Sequence, residues 1–228
     1  MNDVVRVGVV IVGAGNSQRM GIDKVFLPLA DKPLVAWSVD ICQSCELIDQ
    51  IAIVLNERSL DLGHELVAER RWSKVVEVCL GGTRRQDSVR QGLKELDNCQ
   101  WVVIHDCARP FLTAVLIRDG LKAAQETGAA TAAVPVKDTI KLGTDDCLVV
   151  ETLARERLWS VQTPQVFRFD IIDRAHEQIK DNVTDDASMV ERLGYKVKLY
   201  MGSYNNIKIT TPEDIIYAEA IARAKQDA

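Results

Sequence analysis

Charged side chains that can bind phosphate follow four apolar runs of this sequence. The four segments are GAGNSQRMGIDK, LGGTRRQDS, HDCARP and PVKDT, and their charged residues include Arg19, Lys24, Arg84, Arg85, Asp87, Asp106, Arg109, Lys137 and Asp138. Arginine and lysine bind phosphate oxygens, and an aspartate can bind a divalent cation that accompanies them. If the fold brings these segments together, the sequence predicts a site for a phosphorylated ligand.

The first of these segments has two glycines after an apolar run, but it matches neither common nucleotide-binding motif. The dinucleotide motif G-x-G-x-x-G is met by Gly13 and Gly15, yet Gln18 stands at its third glycine. The P-loop spacing fails because Gln18 or Met20 stands where a glycine followed by lysine is required. An ordinary strand-to-helix turn with two solvated cations remains an alternative, so this segment alone assigns no ligand.

Apolar runs of strand length alternate with amphipathic segments of helical length. The predicted strands are 4–12, 51–55, 75–80, 101–105 and 129–134, and the predicted helices between them are 34–45, 60–70, 87–96 and 114–126. The strands are continuously apolar, as expected when helices cover both faces of a sheet. We therefore predict an α/β fold of the Rossmann-like, doubly wound type, with a mixed but mostly parallel sheet. In such sheets ligands bind at the carboxyl ends of the strands, where the four charged segments lie.

The segment 137–157 departs from this alternation and is called the arm below. Two strand-like runs, 138–142 and 147–153, flank the turn-forming residues 143–146. A lone two-stranded hairpin is marginally stable, so we expect its apolar residues to pack on a second subunit and make a homodimer. A hairpin folded onto its own domain is the alternative.

The remainder of the chain is predicted to contain further helices and strands. QTPQVF is interpreted as a turn, 169–179 and 185–193 as helices, 196–201 as a strand, and IKIT as a strand-like segment that carries Lys208. Thr211 is expected to cap a last helix, with Pro212 at its first position. A lysine such as Lys208 is more often a solvated edge residue than a ligand-binding one.

Length and composition indicate one domain spanning 1–228. The 228 residues are 47% hydrophobic and 27% charged, with a net charge of -5. This charge excludes a general basic surface for nucleic acid, and no apolar run approaches the roughly 20 residues of a membrane span. The amino terminus lacks the features of a secretory signal, and six scattered cysteines are typical of reduced thiols. We therefore expect a cytoplasmic protein without a membrane or nucleic-acid partner.

Seven segments, taken in order, resemble one enzyme family over nearly the whole chain. They are GAGNSQRMG with Lys24, GGTRRQDSV, HDCARP, PVKDT, LWSVQTPQVF, TDDASMVE and NIKITTPED. The family is that of the cytidylyltransferases that make CDP-methylerythritol from CTP and 2-C-methylerythritol 4-phosphate in the non-mevalonate route to isoprenoids. The resemblance implies direct attack of the acceptor phosphate on the α-phosphorus of CTP, with Mg²⁺ present and pyrophosphate released.

The resemblance also implies roles for individual residues on the CTP side. Arg19 and Lys24 match cations that hold the triphosphate, with backbone amides of Ala14, Gly15 and Asn16 facing phosphate, and Lys208 matches the lysine that reaches the α-phosphate. Gly81, Gly82, Asp87 and Ser88 match the loop that reads cytosine. Asp106 matches the acid near metal and ribose, and it is followed by Arg109. These assignments are implied by the resemblance alone.

On the acceptor side, the resemblance implies contacts from the arm of a neighbouring subunit. Thr139 and Arg155 match such contacts with methylerythritol phosphate, and Thr163 and Thr184 match further contacts on that side of the site. The sequence departs from the family pattern at Val12, Gly13 and Asp23, and the interval between Arg19 and Lys24 is short. Arg157, two residues beyond Arg155, is an alternative substrate contact. Asn205 stands where relatives of the wider fold place a second metal-binding acid, so Asp106 is expected to carry most of the protein's metal contact.

Three other functions remain open. Ribitol 5-phosphate cytidylyltransferase would share the fold, the CTP loops and the arm, and differ mainly at the acceptor. A non-catalytic nucleotide sensor needs affinity but not cations for the transition state, so Arg19, Lys24 and Lys208 together disfavour it. An NAD-dependent oxidoreductase depends only on Gly13 and Gly15, and lacks the third glycine.

Overall fold

A seven-stranded sheet with helices on both faces makes up most of the structure, a computed structural model that describes residues 5–15 and 24–226. The strands are β1 Val7–Val12, β2 Pro28–Leu29, β3 Lys32–Pro33, β4 Gln50–Leu55, β5 Val75–Leu80, β6 Trp101–Asp106, β7 Ala129–Pro135, β8 Lys141–Gly143, β9 Val149–Thr152, β10 Trp159–Arg168 and β11 Lys198–Met201. The helices are α1 Leu34–Ser44, α2 Leu60–Arg70, α3 Arg85–Lys94, α4 Ala114–Thr127, α5 Phe169–Gln178, α6 Asp186–Arg192 and α7 Pro212–Gln226.

The sheet order is β11-β7-β10-β6-β1-β4-β5, and β10 alone among these strands runs antiparallel to its neighbours. The chain moves from β1 outward through β4 to β5 and then returns to place β6 on the other side of β1. The order of strands therefore reverses beside β1, which is where open α/β sheets bind ligands. The predicted α/β class and mostly parallel sheet are confirmed.

Two hydrophobic cores cover the two faces of the sheet. Along β1, Val9 and Ile11 belong to one core and Val10 and Val12 to the other, as the alternation of side chains in a strand requires. Helices α1, α2 and α4 contribute to the first core, and α3, α5 and α6 contribute to the second. This two-sided burial explains why the strands are continuously apolar in sequence.

Helix ends follow local capping chemistry. The Thr113 side chain accepts from the Leu116 N–H at the start of α4, and the left-handed Gly128 (φ 85°) ends it. Helix α7 begins at Pro212 as predicted, and the Asp214 carboxylate accepts from the backbone N–H groups of Thr210 and Thr211. These bonds join the last helix to the segment that carries Lys208.

Some predictions of local structure are wrong. QTPQVF is not a turn, because residues 162–167 lie within β10, and IKIT is not a strand, because residues 206–210 are irregular. The apolar side chains of IKIT instead pack inward, with Ile209 buried and its N–H bonded to the Ala108 carbonyl at 2.8 Å. Helix α3 begins at Arg85, two residues earlier than predicted, and the short hairpin of β2 and β3 was not predicted.

The arm contains a separate two-stranded sheet of β8 and β9. Its apolar side chains are exposed: Leu142 at 49%, Leu148 at 64%, Val149 at 63% and Val150 at 60%. In the described parts of the chain, no helix is long and apolar enough to cross a membrane. All six cysteines are free thiols.

Candidate active site

A cleft of about 800 Å³ opens at the carboxyl ends of β1, β5 and β6. Residues of three of the four charged segments line it, together with part of the segment that carries Lys208. The lining includes Gly13, Ala14, Gly15, Lys24, Gly81, Gly82, Arg84, Arg85, Ser88, Asp106, Lys208 and Thr210. The predicted convergence is therefore found for three of the four segments; PVKDT does not line the cleft, and Asn16 and Arg19 lie outside the described residues.

Asp106, the last residue of β6, lies between two cations in this cleft. Its Oδ1 accepts from Arg85 Nε at 2.9 Å, and its Oδ2 accepts from Lys208 Nζ at 2.6 Å. Burial alone would raise the pKa of this carboxyl group, but Arg85 and Lys208 outweigh burial and hold the pKa well below its usual range. Asp106 is consequently an anion under all physiological conditions.

A buried hydrogen-bond chain fixes the backbone at Asp106. The Asp106 N–H donates to Thr163 Oγ1 at 3.0 Å, so the Thr163 hydroxyl proton is directed to His105 Nδ1, 3.1 Å away. His105 Nε2 then donates to the Arg109 carbonyl at 2.9 Å. Burial lowers the pKa of His105 to about 4, which keeps the ring neutral in this tautomer. Thr163 thus supports Asp106 directly in this structure.

Lys24 lies beside the segment that carries Lys208, and both lysines line the cleft. Lys24 Nζ lies 3.5 Å from each of the carbonyl oxygens of Ile209 and Thr210, immediately after Lys208 in the chain. The cleft thus contains two lysines, of which Lys208 is paired with Asp106.

Arg109 lies behind the cleft, outside its lining. Its Nη1 donates to the Asn206 carbonyl at 2.8 Å, and Asn206 Nδ2 donates to the Thr163 carbonyl at 2.7 Å. Burial lowers the pKa of Arg109, and Arg85 acts in the same direction, whereas Asp106 opposes the shift. Arg109 joins β6 to the segment before Lys208.

The loop after β5 closely approaches the loop after β1. A Cβ on Gly81 would lie 2.2 Å from the Ala14 Cβ, so only glycine fits there. The Gly82 N–H donates to Ser88 Oγ at 3.1 Å, which anchors the loop to α3. The Asp87 carboxylate is turned away to Arg84, with a 2.7 Å ion pair, and does not line the cleft. Backbone groups of residues 81 and 82 are therefore among the polar groups that this loop presents to the cleft.

The predicted acceptor-side residues are not gathered within one chain. Thr139 and Arg155 are exposed on the arm, where Arg155 Nη1 donates to the Lys137 carbonyl at 2.9 Å. Thr184 is exposed before α6, and Lys137 lies over the Tyr204 ring at 3.6 Å. Neither these residues nor Arg157 line the cleft.

The described residues do not build a resident divalent-metal site. Among residues 5–15 and 24–226 there is no group of three or more histidine, cysteine or acidic side chains that could hold a metal ion. Both oxygens of Asp106 accept from cations, and Glu57, the other carboxylate lining the cleft, is exposed after β4. A protein site for Mg²⁺ normally needs carboxylates in addition to substrate oxygens or water.

Two residues of this region received no role from the sequence. In the sequence analysis, Arg85 was named only as one of several loop cations, and Asp186 was included only as part of the segment TDDASMVE. In the structure, Arg85 Nη1 donates to the fully buried Asp186 carboxylate at 2.7 Å. An acid in the first turn of a helix is ordinarily a solvated capping residue, so the sequence carried no signal of this burial.

Comparison with known proteins gives a consistent match. The family model of 2-C-methyl-D-erythritol 4-phosphate cytidylyltransferase, IspD, matches residues 7–224. A protein of that name from Dehalococcoides mccartyi (strain ATCC BAA-2266 / KCTC 15142 / 195) is 51% identical over 219 residues, which is 96% of each chain. One from Alkaliphilus oremlandii is 43% identical, over 100% of this chain and 99% of the relative.

Solved structures match in the same way. The 4-diphosphocytidyl-2C-methyl-D-erythritol synthase of Anaerococcus prevotii superposes with a TM-score of 0.86 at 31% identity, over 96% of each chain. The 2-C-methyl-D-erythritol 4-phosphate cytidylyltransferase of Thermus thermophilus gives 0.77 at 30% identity, over 94% of this chain and 98% of the other. Fold, cleft and matches together define an enzyme of the nucleotidyltransferase class. Within that class, the chain belongs to the IspD family of 2-C-methyl-D-erythritol 4-phosphate cytidylyltransferases.

Proposed function

We propose that this enzyme transfers the cytidylyl group of CTP to 2-C-methyl-D-erythritol 4-phosphate in the cleft around Asp106. A phosphate oxygen of the acceptor attacks the α-phosphorus of CTP, a new P–O bond forms, and the bond to the bridging oxygen of the β-phosphate breaks. Pyrophosphate leaves, and no covalent enzyme intermediate forms. The observation that carries the proposal is the ion pair of Lys208 with Asp106 in a cleft that Lys24 also lines and that is large enough for a nucleotide.

Electrostatic stabilisation is the main work that this reaction requires. Both reactants are anions, so an enzyme must screen their repulsion and stabilise the added charge on five-coordinate phosphorus. Lys208, held at 2.6 Å by Asp106, supplies one fixed charge, and Lys24 supplies another. We assign Lys208 to the α-phosphate and Lys24, with Arg19, to the phosphates that leave. The backbone amides of Ala14, Gly15 and Asn16 would add donors to the same phosphates.

We propose that the cytosine base binds between the loops that follow β1 and β5. The backbone of Gly81 and Gly82, stabilised by Ser88, can bond the polar edge of a base that stacks near Ala14. A site that bonds the exocyclic amine of cytosine disfavours UTP, because UTP would leave polar groups without partners. We expect Asp87 to act through Arg84 and the start of α3, since its carboxylate is engaged there.

Mg²⁺ enters this scheme as part of the substrate. The described residues form no metal site of their own, so we propose that Mg²⁺ arrives bound to the phosphates of CTP. Asp106 is the protein carboxylate that would contact it. The chain's own residues hold the phosphates and the acceptor in line.

The acceptor site is proposed to form between two copies of the chain. The exposed apolar side chains of β8 and β9 need a covering surface, and a second copy gives the arm both a packing partner and a role. In such a homodimer, Thr139 and Arg155 of one arm would meet the exposed Thr184 of the other copy, while the buried Thr163 would support the site through Asp106. We also propose a cytoplasmic location, which the free thiols support.

The experiment is a pyrophosphate-release assay with Mg²⁺, CTP and each candidate acceptor. Turnover with methylerythritol phosphate, and little with ribitol 5-phosphate, is the expected result. Turnover on ribitol 5-phosphate alone would overturn the acceptor assignment. CTP binding without turnover on either acceptor would favour a nucleotide sensor, and NAD binding by titration would favour an oxidoreductase. UTP in place of CTP is the control for base recognition.

A further inference from the structure

A fully buried carboxylate lies one ion pair away from the cleft. Asp186, at the start of α6, has a side chain that is 0% exposed and does not line the cleft. Its Oδ2 accepts from Arg85 Nη1 at 2.7 Å, and its Oδ1 has no hydrogen bond within the described structure. The nearest candidate partner of Oδ1 is His176 Nε2, at 3.5 Å.

Arg85 connects this carboxylate with the catalytic region. Its Nη1 is bonded to Asp186 and its Nε to Asp106 Oδ1, which leaves Asp106 Oδ2 for Lys208. A continuous series of ion pairs therefore runs from α6 through α3 to the cleft. Arg85 Nη2 is buried and has no hydrogen-bond partner within the described structure.

Burying these charges has a high desolvation cost, so this arrangement is a poor source of folding stability. The attraction within a buried ion pair offsets the desolvation of its charges only when further hydrogen bonds satisfy the remaining polar atoms. Apolar residues of similar volume often give equal stability. Here Asp186 Oδ1 and Arg85 Nη2 both remain without hydrogen bonds within the described structure. Burial alone would raise the pKa of Asp186, but Arg85 and His176 hold it below its usual range, so the group stays charged.

The Nη2 atom of Arg85, which makes no hydrogen bond within the described structure, indicates that Asp186 prevents a bidentate contact between Arg85 and Asp106. Nε and Nη2 lie on the same side of a guanidinium group and can grip both oxygens of one carboxylate. If Arg85 turned to bind Asp106 in this bidentate way, it would compete with Lys208 for Oδ2. The bond from Nη1 to Asp186 holds Arg85 in the orientation in which only Nε reaches Asp106.

We infer that Asp186 is a positioning residue for cytidylyl transfer, which holds Arg85 so that Asp106 keeps one oxygen for Lys208. The inference rests on the proposed function. Neighbouring contacts join the start of α3 to the segment between α5 and α6: Arg84 Nη1 donates to the Lys180 carbonyl at 2.8 Å, and Gln86 Nε2 donates to the Asp181 carbonyl at 3.0 Å.

The first test is steady-state kinetics of Asp186→Asn, which removes the charge and keeps the shape. We expect kcat to fall by about 10- to 100-fold through misplacement of Lys208, while the KM for CTP changes less than about threefold. The matched control is Asp40→Asn: Asp40 also accepts from two cations, Lys32 at 2.6 Å and Arg70 at 3.3 Å, but does not line the cleft. It should keep the wild-type kcat.

A double-mutant cycle separates positioning from general destabilisation. If Asp186 acts through Arg85, its substitution should have little further effect on kcat in an Arg85→Gln background. Additive losses in kcat would overturn the inference. Arg85→Lys keeps the charge but replaces the planar guanidinium, whose separate nitrogens reach Asp106 and Asp186, by a single nitrogen on a shorter side chain. It should reproduce the kcat loss of Asp186→Asn, and it serves as the test if Asp186→Asn does not fold.

The outcomes distinguish this inference from the proposed function. A wild-type enzyme that fails to release pyrophosphate from CTP and methylerythritol phosphate contradicts the proposed function. A wild-type enzyme that turns over, with Asp186→Asn and Arg85→Lys both as active as Asp40→Asn, contradicts the inference alone.

Discussion

The ammonium group of Lys208 donates to the Asp106 carboxylate at 2.6 Å, although the two residues are 102 positions apart in the chain. The Lys208 side chain is 40% exposed and that of Asp106 only 10%, so a buried anion holds an ammonium group at the edge of open space. Lys208 is carried by an irregular segment that is anchored on either side by the buried residues Asn206 and Ile209. A lysine in this position is oriented before any phosphate arrives, which lowers the cost of reorganisation during the reaction.

Replacing Lys208 should impair the chemical step more than nucleotide binding. In Lys208→Ala we expect kcat to fall by at least about 100-fold, because a charge aimed at the developing negative charge on phosphorus is lost. CTP affinity should change much less, and calorimetry measures it separately from turnover. The control is Lys198→Ala, which breaks an exposed ion pair between Lys198 on β11 and Glu126 on α4. Loss of binding with normal turnover of the bound complex would show that Lys208 is an anchor.

His105 should make the enzyme less stable as the pH falls. Burial lowers the pKa of His105 to about 4 in the folded state, whereas an unfolded histidine has a pKa of about 6.5. The stabilisation is therefore complete above about pH 6.5 and is lost as the pH falls toward about 4, by about 2 to 3 kcal/mol at about pH 4.5. Urea unfolding of wild type and His105→Gln over this range should show their difference shrinking. A constant difference would mean that folding does not lower the pKa of His105.

The arm should control self-association. Leu142→Asp places a charge in the exposed apolar surface of β8, and we expect it to shift a dimer toward monomer in analytical ultracentrifugation and to lower activity at dilute enzyme concentrations. Leu62→Asp on α2 is a matched control, because both leucines are 49% exposed. Since neither leucine is buried in the single chain, both variants should fold. An unchanged association state in Leu142→Asp would contradict the proposed dimer contact.

Gly81 should tolerate no side chain. A Cβ there would lie 2.2 Å from the Ala14 Cβ and 2.8 Å from Ser88 Oγ, so Gly81→Ala must push apart the two loops that flank the cleft. We expect Gly81→Ala to lower the melting temperature, with a loss of about 1 to 3 kcal/mol in the free energy of unfolding. CTP binding should also be weaker. Gly15→Ala is the comparison for stability, because a Cβ there meets nothing within 4 Å. Equal melting temperatures for the two variants would contradict the close approach of the loops.

The sheet was predictable because its strands and helices have distinct hydrophobic patterns. Continuous apolar runs identified β1, β4, β5, β6 and β7, and the rule that ligands bind at carboxyl ends pointed to Asp106 and the glycine loops. Strand β10 was missed because Pro164, which ordinarily disfavours a central strand, lies in the middle of it, next to an irregularity in its pairing. Local rules do not show when tertiary contacts accommodate such a residue.

Long-range ion pairs were beyond sequence reasoning for a different reason. Arg85 and Asp186 are separated by 101 positions, and each belongs to a helix start where charged residues are ordinary. Only the packing of α3 against α5 and α6 puts the two together away from water. Arg85 is one of several similar cations, and its local sequence does not distinguish it from Arg84.

The position of β10 also has a consequence for synthesis of the chain. This strand lies between β6 and β7 and bonds to both, yet it follows them in sequence. Until residue 168 has left the ribosome, β6 and β7 each retain an open, apolar edge that can pair with other chains. A nascent chain paused before β10 thus exposes two strand edges that the folded protein covers.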